Sequence, residues 1–237
     1  MALELILEKH KSLQKISDSS TVPPTRLVDL TEIDLDLDHG KLRLIATQDP
    51  VQYIALSHCW GVLPDEQRSQ WLTTRDNVED RLRSGFDLEV LPRTFRDAIT
   101  VTLELGQQYL WIDSLCIIQK DEDDWELEAG KMEAYFHNAY CTIAATSAKD
   151  STQGFLERPP PSSDLWVRVP CSSGAEIFVT TFVDDFEEDV LGGLLNKRAW
   201  VLQERALSRR TIHFTDRQTY WECGGGVRCE TLTYICK

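Results

Sequence analysis

Three short apolar runs that alternate with two helical patterns constrain the fold of this 237-residue chain more than any other feature. The apolar runs are 53–57, 109–113 and 140–146, and apolar residues recur at helical spacing in 94–105 and 124–138. Short buried strands joined by helical crossovers are typical of a mostly parallel sheet with helices on both faces. The sequence therefore predicts an α/β fold in which these three strands are parallel neighbours, joined by right-handed connections.

Weaker patterns lie on both sides of this core. Residues 1–23 predict an amphipathic helix and a polar linker, and the composition changes again after Gly154. We expect about 155–237 to form an appended α+β lobe rather than an independent domain. The further elements expected are strands at 27–30 and 42–45, a helix at 75–84, strands at 165–169 and 176–181, a helix at 194–207, and a hairpin of 210–214 with 218–222.

The first helix of the core carries signals at both ends. Thr94 and Asp97 resemble a capping box, with Asp in place of the usual Glu or Gln. Gly106 suits the position that follows a helix. We therefore expect the helix to begin at Thr94 and to end just before Gly106.

The charge of the chain limits its partners. It carries 25 Lys and Arg against 39 Asp and Glu, a formal net charge of -14. Such a surface repels phosphate backbones, so we expect no nucleic acid partner. No apolar run in the sequence approaches the roughly 18 residues of a membrane span, and charged residues interrupt 1–15, unlike a secretory signal. We therefore expect a cytoplasmic protein without a membrane span.

The cysteines indicate neither a disulfide framework nor a metal site. There are seven of them, an odd number, and their spacing is irregular. Cys59, Cys116 and Cys141 lie in apolar segments, which predicts buried reduced thiols. Cys223 and Cys229 lack further ligands at short spacing, so we expect no bound metal.

Polar and aromatic residues follow the ends of two core strands. His58 and Trp60 follow the first strand, and Asp113 and Ser114 end the second. Ligands bind outside the carboxyl ends of the strands in open parallel sheets, so these side chains are predicted to line one crevice. Structural roles stay open beside this one: Asp113 as the cap of the following turn, His58 as a packed histidine and Trp60 as core.

A nucleophilic pair of Cys116 and His58, oriented by Asp113, is a further candidate. Cys116 lies in an apolar run, which favours an inert buried thiol instead. On the late helix, Glu204 and Arg205 are expected to form a salt bridge that docks the lobe.

Glu128 has an unusual position on the second core helix. On a helical wheel it falls at the edge of an apolar stripe, whereas Glu126 and Glu133 lie on the opposite, solvated side. The stripe consists of Trp125, Ala129, Met132, Phe136 and Ala139. A partly desolvated carboxylate is typical of functional sites, and a rim glutamate that reaches water or an arginine is the alternative.

Several long blocks of the sequence together closely resemble the fungal heterokaryon-incompatibility (HET) domain. The blocks are PTRLVDL (24–30), YIALSHCWG (53–61), LPRTFRDAI (91–99), YLWIDSLCIIQKDEDDWELEAGKMEAYFHNAYCTIAA (109–145), RAWVLQERALSRRTIHF (198–214) and YWEC (220–223). The resemblance implies a HET domain over 24–237. It also implies a distant relation to TIR domains, with a TIR/flavodoxin-like parallel sheet at about 50–150 and the appended lobe at about 155–237.

The resemblance implies a fungal protein that acts in non-self recognition and programmed cell death, with self-association and with sensor or other incompatibility proteins as partners. Some TIR domains cleave NAD with one glutamate in a W-x-x-E pattern, and here that pattern runs from Trp125 to Glu128. Glu128 is therefore the implied catalytic residue of an NAD hydrolase. The substrate-binding residues expected with it are His58, Trp60, Asp113, Ser114 and Trp125.

NAD is expected as a substrate, with no resident cofactor or metal. Cleavage of the nicotinamide–ribose bond passes through an oxocarbenium-like state that one carboxylate can stabilise. Arg205 or Arg93 is expected to contact the anionic part of the dinucleotide. Two alternatives stay open: a non-catalytic self-associating signalling module, and a metabolic enzyme that uses His58, Asp113 or Cys116.

Overall fold

The computed structural model describes residues 22–34, 39–158, 166–170, 176–180, 185–230 and 234–235. The helix and linker predicted at 1–23 fall outside these residues, apart from the last two. The strands are β1 (Arg26–Asp29), β2 (Ile33–Asp34), β3 (His39–Ala46), β4 (Ile54–Ser57), β5 (Phe86–Asp87), β6 (Tyr109–Trp111), β7 (Cys141–Ala144), β8 (Trp166–Pro170), β9 (Glu176–Thr180), β10 (Arg210–Phe214), β11 (Thr219–Cys223), β12 (Gly226–Cys229) and β13 (Tyr234–Ile235).

The helices are mostly short. They are α1 (Asp65–Arg68), α2 (Val78–Arg83), α3 (Arg93–Glu104), α4 (Asp113–Cys116), α5 (Glu122–Ala129), α6 (Met132–Asn138) and α7 (Ala199–Leu207). Single turns of 3-10 helix lie at Leu88–Val90 and Leu195–Lys197, and a π-helical turn lies at Glu187–Leu191. Within the described ranges, no helix combines the length and the apolar character that crossing a bilayer requires.

One mixed sheet organises the molecule, in the order β13-β12-β11-β10-β7-β4-β6-β1-β3-β2, with β5 paired to β3. Its centre is parallel, because β4 pairs with β6 on one side and β7 on the other, and β10 runs parallel to β7. The outer strands are antiparallel. The prediction of an α/β fold with three parallel neighbouring strands is therefore confirmed.

The C-terminal part of the chain is joined to this sheet directly. Parallel pairing of β10 with β7 places Thr211 opposite Thr142, and the predicted hairpin follows as β10 and β11. The strands β8 and β9 form a separate antiparallel pair, also as predicted. Backbone hydrogen bonds between strands thus connect much of the C-terminal segment to the core.

The predicted capping box of α3 is wrong. The helix begins one residue earlier, at Arg93, after Pro92, and no side chain caps it. Thr94 instead donates its hydroxyl to the carbonyl of Asp150, and Asp97 accepts the backbone N–H groups of Phe155 and Leu156. Both side chains therefore hold the loop after β7 against α3 rather than cap the helix.

The predicted helix at 124–138 is two helices, α5 and α6, which are separated at Gly130 and Lys131. The burial of the side chains also differs from the prediction. Glu128 is fully buried, whereas Trp125 is 52% exposed, the reverse of what one continuous wheel predicts. Both residues lie in α5, so their exposure follows from tertiary contacts: Glu128 faces Thr25 and Tyr135. The break itself separates the phase of Trp125 and Ala129 from that of the α6 residues in the predicted stripe.

Gly61, which follows β4, adopts a left-handed backbone with φ of +75°, and a Cβ there would overlap the side chain of Asp150. We expect Gly61→Ala to lower the free energy of unfolding by about 2–4 kcal/mol, since overpacking adds to backbone strain. Gly106 is a matched control, because its φ is +70° with no atom within 4 Å of an added Cβ.

Gly106→Ala should therefore cost only about 1 kcal/mol, the strain of the left-handed backbone. Urea unfolding followed by tryptophan fluorescence measures both variants. Equal losses for the two substitutions would contradict the close packing of Gly61 on Asp150.

Candidate functional site

A pocket of about 170 Å³ lies at the carboxyl ends of β4 and β6. Its walls are rich in large apolar side chains: Trp60, Trp111, Trp125, Met132, Phe136 and Trp200. Its polar lining consists of His58, Asp113, Gln119, Arg198 and Glu204. The pocket therefore combines aromatic surfaces with two carboxylates and one guanidinium group, at the edge of the sheet where parallel folds bind ligands.

The structure brings four of the six predicted site residues to this pocket. They are His58, Trp60, Asp113 and Trp125. Ser114 is buried beside Asp113, and Glu128 lies away from the pocket lining. The pocket lining therefore contains four of the expected residues and lacks Ser114 and Glu128. The substrate-binding roles of these residues stay predictions.

Asp113 and Trp60 are joined by a hydrogen bond. The indole Nε1 of Trp60 donates to Oδ2 of Asp113 at 2.9 Å, and the other carboxylate oxygen accepts the backbone N–H of Ser114 at 2.6 Å. Asp113 therefore occupies the first position of α4 and, at the same time, fixes the orientation of the Trp60 ring. Asp113 thus makes a local hydrogen bond in the turn and also lines the pocket, and its substrate-binding role stays a prediction.

His58 is buried, with 4% of its surface exposed, and burial lowers the pKa of its imidazole. The ring is therefore neutral at neutral pH, and it packs edge-on against Phe95 with ring centroids 5.0 Å apart. Among the described residues, its Nε2 has no hydrogen-bond partner. A buried polar atom without a partner is unfavourable, so Nε2 is an unsatisfied group in a side chain that lines the pocket.

The cysteines near the pocket are inert thiols. Cys59, Cys116 and Cys141 are free and buried, as predicted. Burial raises the pKa of Cys116 to about 12, so the thiolate that a nucleophile requires is absent at neutral pH. The geometry therefore gives no support to a Cys116–His58 nucleophilic pair. In the part of the chain that the structure describes, no group of three or more His, Cys, Asp or Glu side chains could hold a metal ion.

Glu204 is the functional candidate that the sequence did not reveal. It lies on α7, and its Oε2 accepts the hydroxyl of Ser57 at the end of β4 at 2.5 Å. Burial, reinforced by the negative charge of Asp113, raises the pKa of Glu204 to about 7. The sequence held one indication of this position. Glu204 follows Trp200 by four residues, and residues four apart share a helix face.

Of the two residues expected in a salt bridge that docks the lobe, Arg205 forms one and Glu204 does not. The guanidinium of Arg205 forms two hydrogen bonds with Glu222 on β11, at 2.7 and 2.9 Å. Arg93 likewise pairs with Glu157. The two arginines expected to contact a dinucleotide are thus engaged elsewhere, and the guanidinium that lines the pocket belongs to Arg198, whose Nη1 donates to the carbonyl of His58 at 2.7 Å.

Glu128 connects three elements inside the molecule. Its Oε1 accepts the hydroxyl of Thr25 at 2.6 Å and lies 3.3 Å from Nζ of Lys131, while its Oε2 accepts the hydroxyl of Tyr135 at 3.0 Å. These bonds attach the start of β1 to α5 and α6. The surroundings of Glu128 therefore indicate a structural role, and its catalytic role stays a prediction.

Glu128→Gln should lower the free energy of unfolding by about 1–3 kcal/mol, because the variant loses the ion pair with Lys131 and leaves a buried hydroxyl poorly paired. Glu126→Gln is the matched control, since Glu126 is exposed on the same helix, and it should change stability by less than about 0.5 kcal/mol. Urea unfolding measures both. Similar stabilities of the two variants would contradict the fastening role of Glu128.

The raised pKa of Glu204 predicts a pH-dependent effect on stability. Protonated Glu204 contributes stability that is fully present below its ordinary pKa of 4.5 and is lost as pH rises through about 7. Glu204→Gln, which removes the buried charge, should therefore melt several degrees above the wild type at pH 8. The advantage should shrink at pH 5. Thermal unfolding by circular dichroism at the two pH values tests this, and an equal difference at both would contradict it.

Comparison with known families places this pocket in context. The family model described as heterokaryon incompatibility protein (HET) matches residues 53–204, a range that contains every residue lining the pocket. Searches of curated proteins and of solved structures found no significant match. The family match supports a role in heterokaryon incompatibility. Because it covers more than half of the sequence, the chain belongs to the heterokaryon incompatibility (HET) family.

Proposed function

We propose that this chain acts in non-self recognition and cell-death signalling by cleaving NAD at the nicotinamide–ribose bond in the pocket. The observation that carries the proposal is the environment of Glu204. Its half-buried side chain lines the wall of an aromatic pocket, and Asp113 supplies a second carboxylate in the same lining. Two acidic groups among tryptophans suit a planar ligand that carries positive charge.

The nicotinamide ring of NAD is such a ligand, because it is a planar pyridinium cation. Tryptophan faces bind cationic rings by stacking and by cation–π attraction. Trp60, Trp125 and Trp200 line the pocket, and the bond from Trp60 to Asp113 fixes one of these rings in advance. A ring held in place before binding loses less conformational entropy when the ligand arrives.

The reaction requires little beyond electrostatic stabilisation. When the bond between C1′ of the ribose and the ring nitrogen breaks, the bonding electrons stay on nitrogen, and nicotinamide leaves as a neutral molecule. The ribose becomes an oxocarbenium-like cation, which water attacks at C1′ with loss of a proton. Ionised Glu204 would stabilise that cation while the Ser57 hydroxyl holds one of its oxygens.

The W-x-x-E pattern implies Glu128, rather than Glu204, as the catalytic carboxylate. The hydrogen bonds of the two glutamates differ. Both oxygens of Glu128 already accept hydrogen bonds from Thr25 and Tyr135. Glu204 has one oxygen bonded to Ser57 and lines the pocket. This difference favours Glu204 as the catalytic carboxylate.

Non-catalytic self-association is the second candidate function. It is favoured by apolar side chains that are more than half exposed around the pocket mouth and α7, namely Trp125, Trp200 and Leu202. Single exposed apolar residues are common, but a group of them indicates an interaction surface. The third possibility is a metabolic enzyme that uses His58, Asp113 or Cys116. Its thiol version has no comparable support, because Cys116 is fully buried.

Release of nicotinamide from NAD by the purified full chain, at increasing protein concentration, tests the proposal. Glu204→Gln should lower the rate by about 100-fold or more, as expected for the loss of one transition-state charge contact. Glu128→Gln should keep most of the activity at temperatures where circular dichroism shows it folded. The wild-type rate should rise with pH through about 7, as Glu204 ionises.

The outcomes separate the hypotheses. Loss of activity in folded Glu128→Gln together with full activity in Glu204→Gln would assign catalysis to Glu128. Absence of nicotinamide release from the wild type, at concentrations where light scattering shows assemblies, would overturn NAD cleavage and favour the self-associating module.

A further inference from the structure

The pocket is too small to enclose a dinucleotide. Its volume of about 170 Å³ lies below the roughly 300–1,000 Å³ of pockets that bury most of a drug-sized ligand. It can therefore take one ring and part of a sugar. Everything else in a larger ligand must lie outside, against the residues at the mouth.

The lining of the pocket carries charges of both signs, which limits the ligands that suit it. Asp113 and Glu204 are acidic, so they attract a cationic ring and repel a phosphate. The guanidinium of Arg198 is the cation among the residues that line the pocket. A ligand with a positive ring and a negative group attached to it fits this arrangement, whereas a uniformly charged ligand does not.

Arg198 is available to bind an anion. It is exposed, its Nη1 donates to the carbonyl of His58 at 2.7 Å, and its side chain also forms a hydrogen bond with Cys59. Its positive charge acts on Glu204 through space, without a direct ion pair among the described residues. Within the described residues, Arg198 has no carboxylate within 4.0 Å. Arg205 is different, because its guanidinium forms two hydrogen bonds with the carboxylate of Glu222.

The start of α7 reinforces this charge. Arg198 is the N-cap residue of the helix, no side chain caps it, and the first turn holds no acidic residue. Backbone N–H groups at such an end favour an anion. His58 is an independent indication of a ligand. It lines the same pocket with only 4% of its surface exposed, and its Nε2 has no partner among the described residues.

We infer that Arg198, with the N-terminus of α7, binds the phosphate next to the ribose of a ligand whose cationic ring enters the pocket. This inference rests on the proposed function for the identity of the ring, and it adds the ligand class: a ribosylated pyridinium that carries a phosphate. Arg198 is then the residue that determines specificity for the phosphorylated ligand. It contacts no reacting atom.

Two probes isolate the phosphate. Nicotinamide mononucleotide and nicotinamide riboside share the cationic ring and the ribose, and they differ only in the phosphate. Binding to the purified full chain is followed by quenching of tryptophan fluorescence, which does not depend on cleavage. The wild type should bind the mononucleotide about tenfold more tightly than the riboside, as expected for a charge-assisted contact.

Arg198→Gln should remove this preference by weakening binding of the mononucleotide about tenfold and leaving the riboside unchanged. Arg198→Lys should restore part of the preference, because the positive charge remains. Arg209→Gln is the matched control, since Arg209 contacts His137 and lies outside the pocket lining. It should leave both affinities unchanged.

Structural damage is distinguishable from loss of the phosphate contact, because damage weakens binding of both probes. An unchanged preference in Arg198→Gln, equal losses for the two probes, or absence of binding by either probe would overturn the inference. Failure of NAD cleavage with the preference intact would overturn the proposed function and leave the inference standing. Cleavage of NAD by a protein that lacks the preference for the mononucleotide would overturn the inference about Arg198 and leave the proposed function standing.

Discussion

The parallel backbone hydrogen bonds that join β4 to β6 and β7 determine the geometry on which the pocket depends. Parallel neighbours end at the same edge of a sheet, so side chains far apart in sequence meet there. Trp60 and Asp113 are 53 positions apart and share a hydrogen bond at that edge. Because every residue of β4 and β7 is buried, the edge rests on a rigid base.

A second set of contacts holds the wall of the pocket against this base. Arg26 on β1 pairs with Asp124 on α5 and also donates to the carbonyl of Cys116. Glu128 binds Thr25 just before the same strand. With these polar contacts on the side of α5 that faces β1, Trp125 and Ala129 are left to line the pocket. Buried charges thus orient apolar residues that form the site.

Local sequence patterns predicted the parts of the molecule that local physics determines. The apolar runs marked the strands, and the rule for parallel sheets placed His58, Trp60 and Asp113 at one site. The positions of Glu128 and Glu204 depend on distant partners that no local pattern identifies. Thr25, the partner of Glu128, is 103 positions away from it, and Ser57, the partner of Glu204, is 147 positions away. The helix break was signalled by Gly130, although propensity alone rarely decides whether a helix continues.

Helix α7 and its N-cap residue contribute Trp200, Glu204 and Arg198 to a site whose other residues come from 56–136. It packs against α6 and is tied to β7 by the bond between Ser208 and Thr142. The unit that evolution can move between proteins is therefore larger than the strand-and-helix core. A graft of 50–150 into another protein would transfer the parallel strands β4, β6 and β7 and leave behind one side of the cleft, with Glu204 and Arg198.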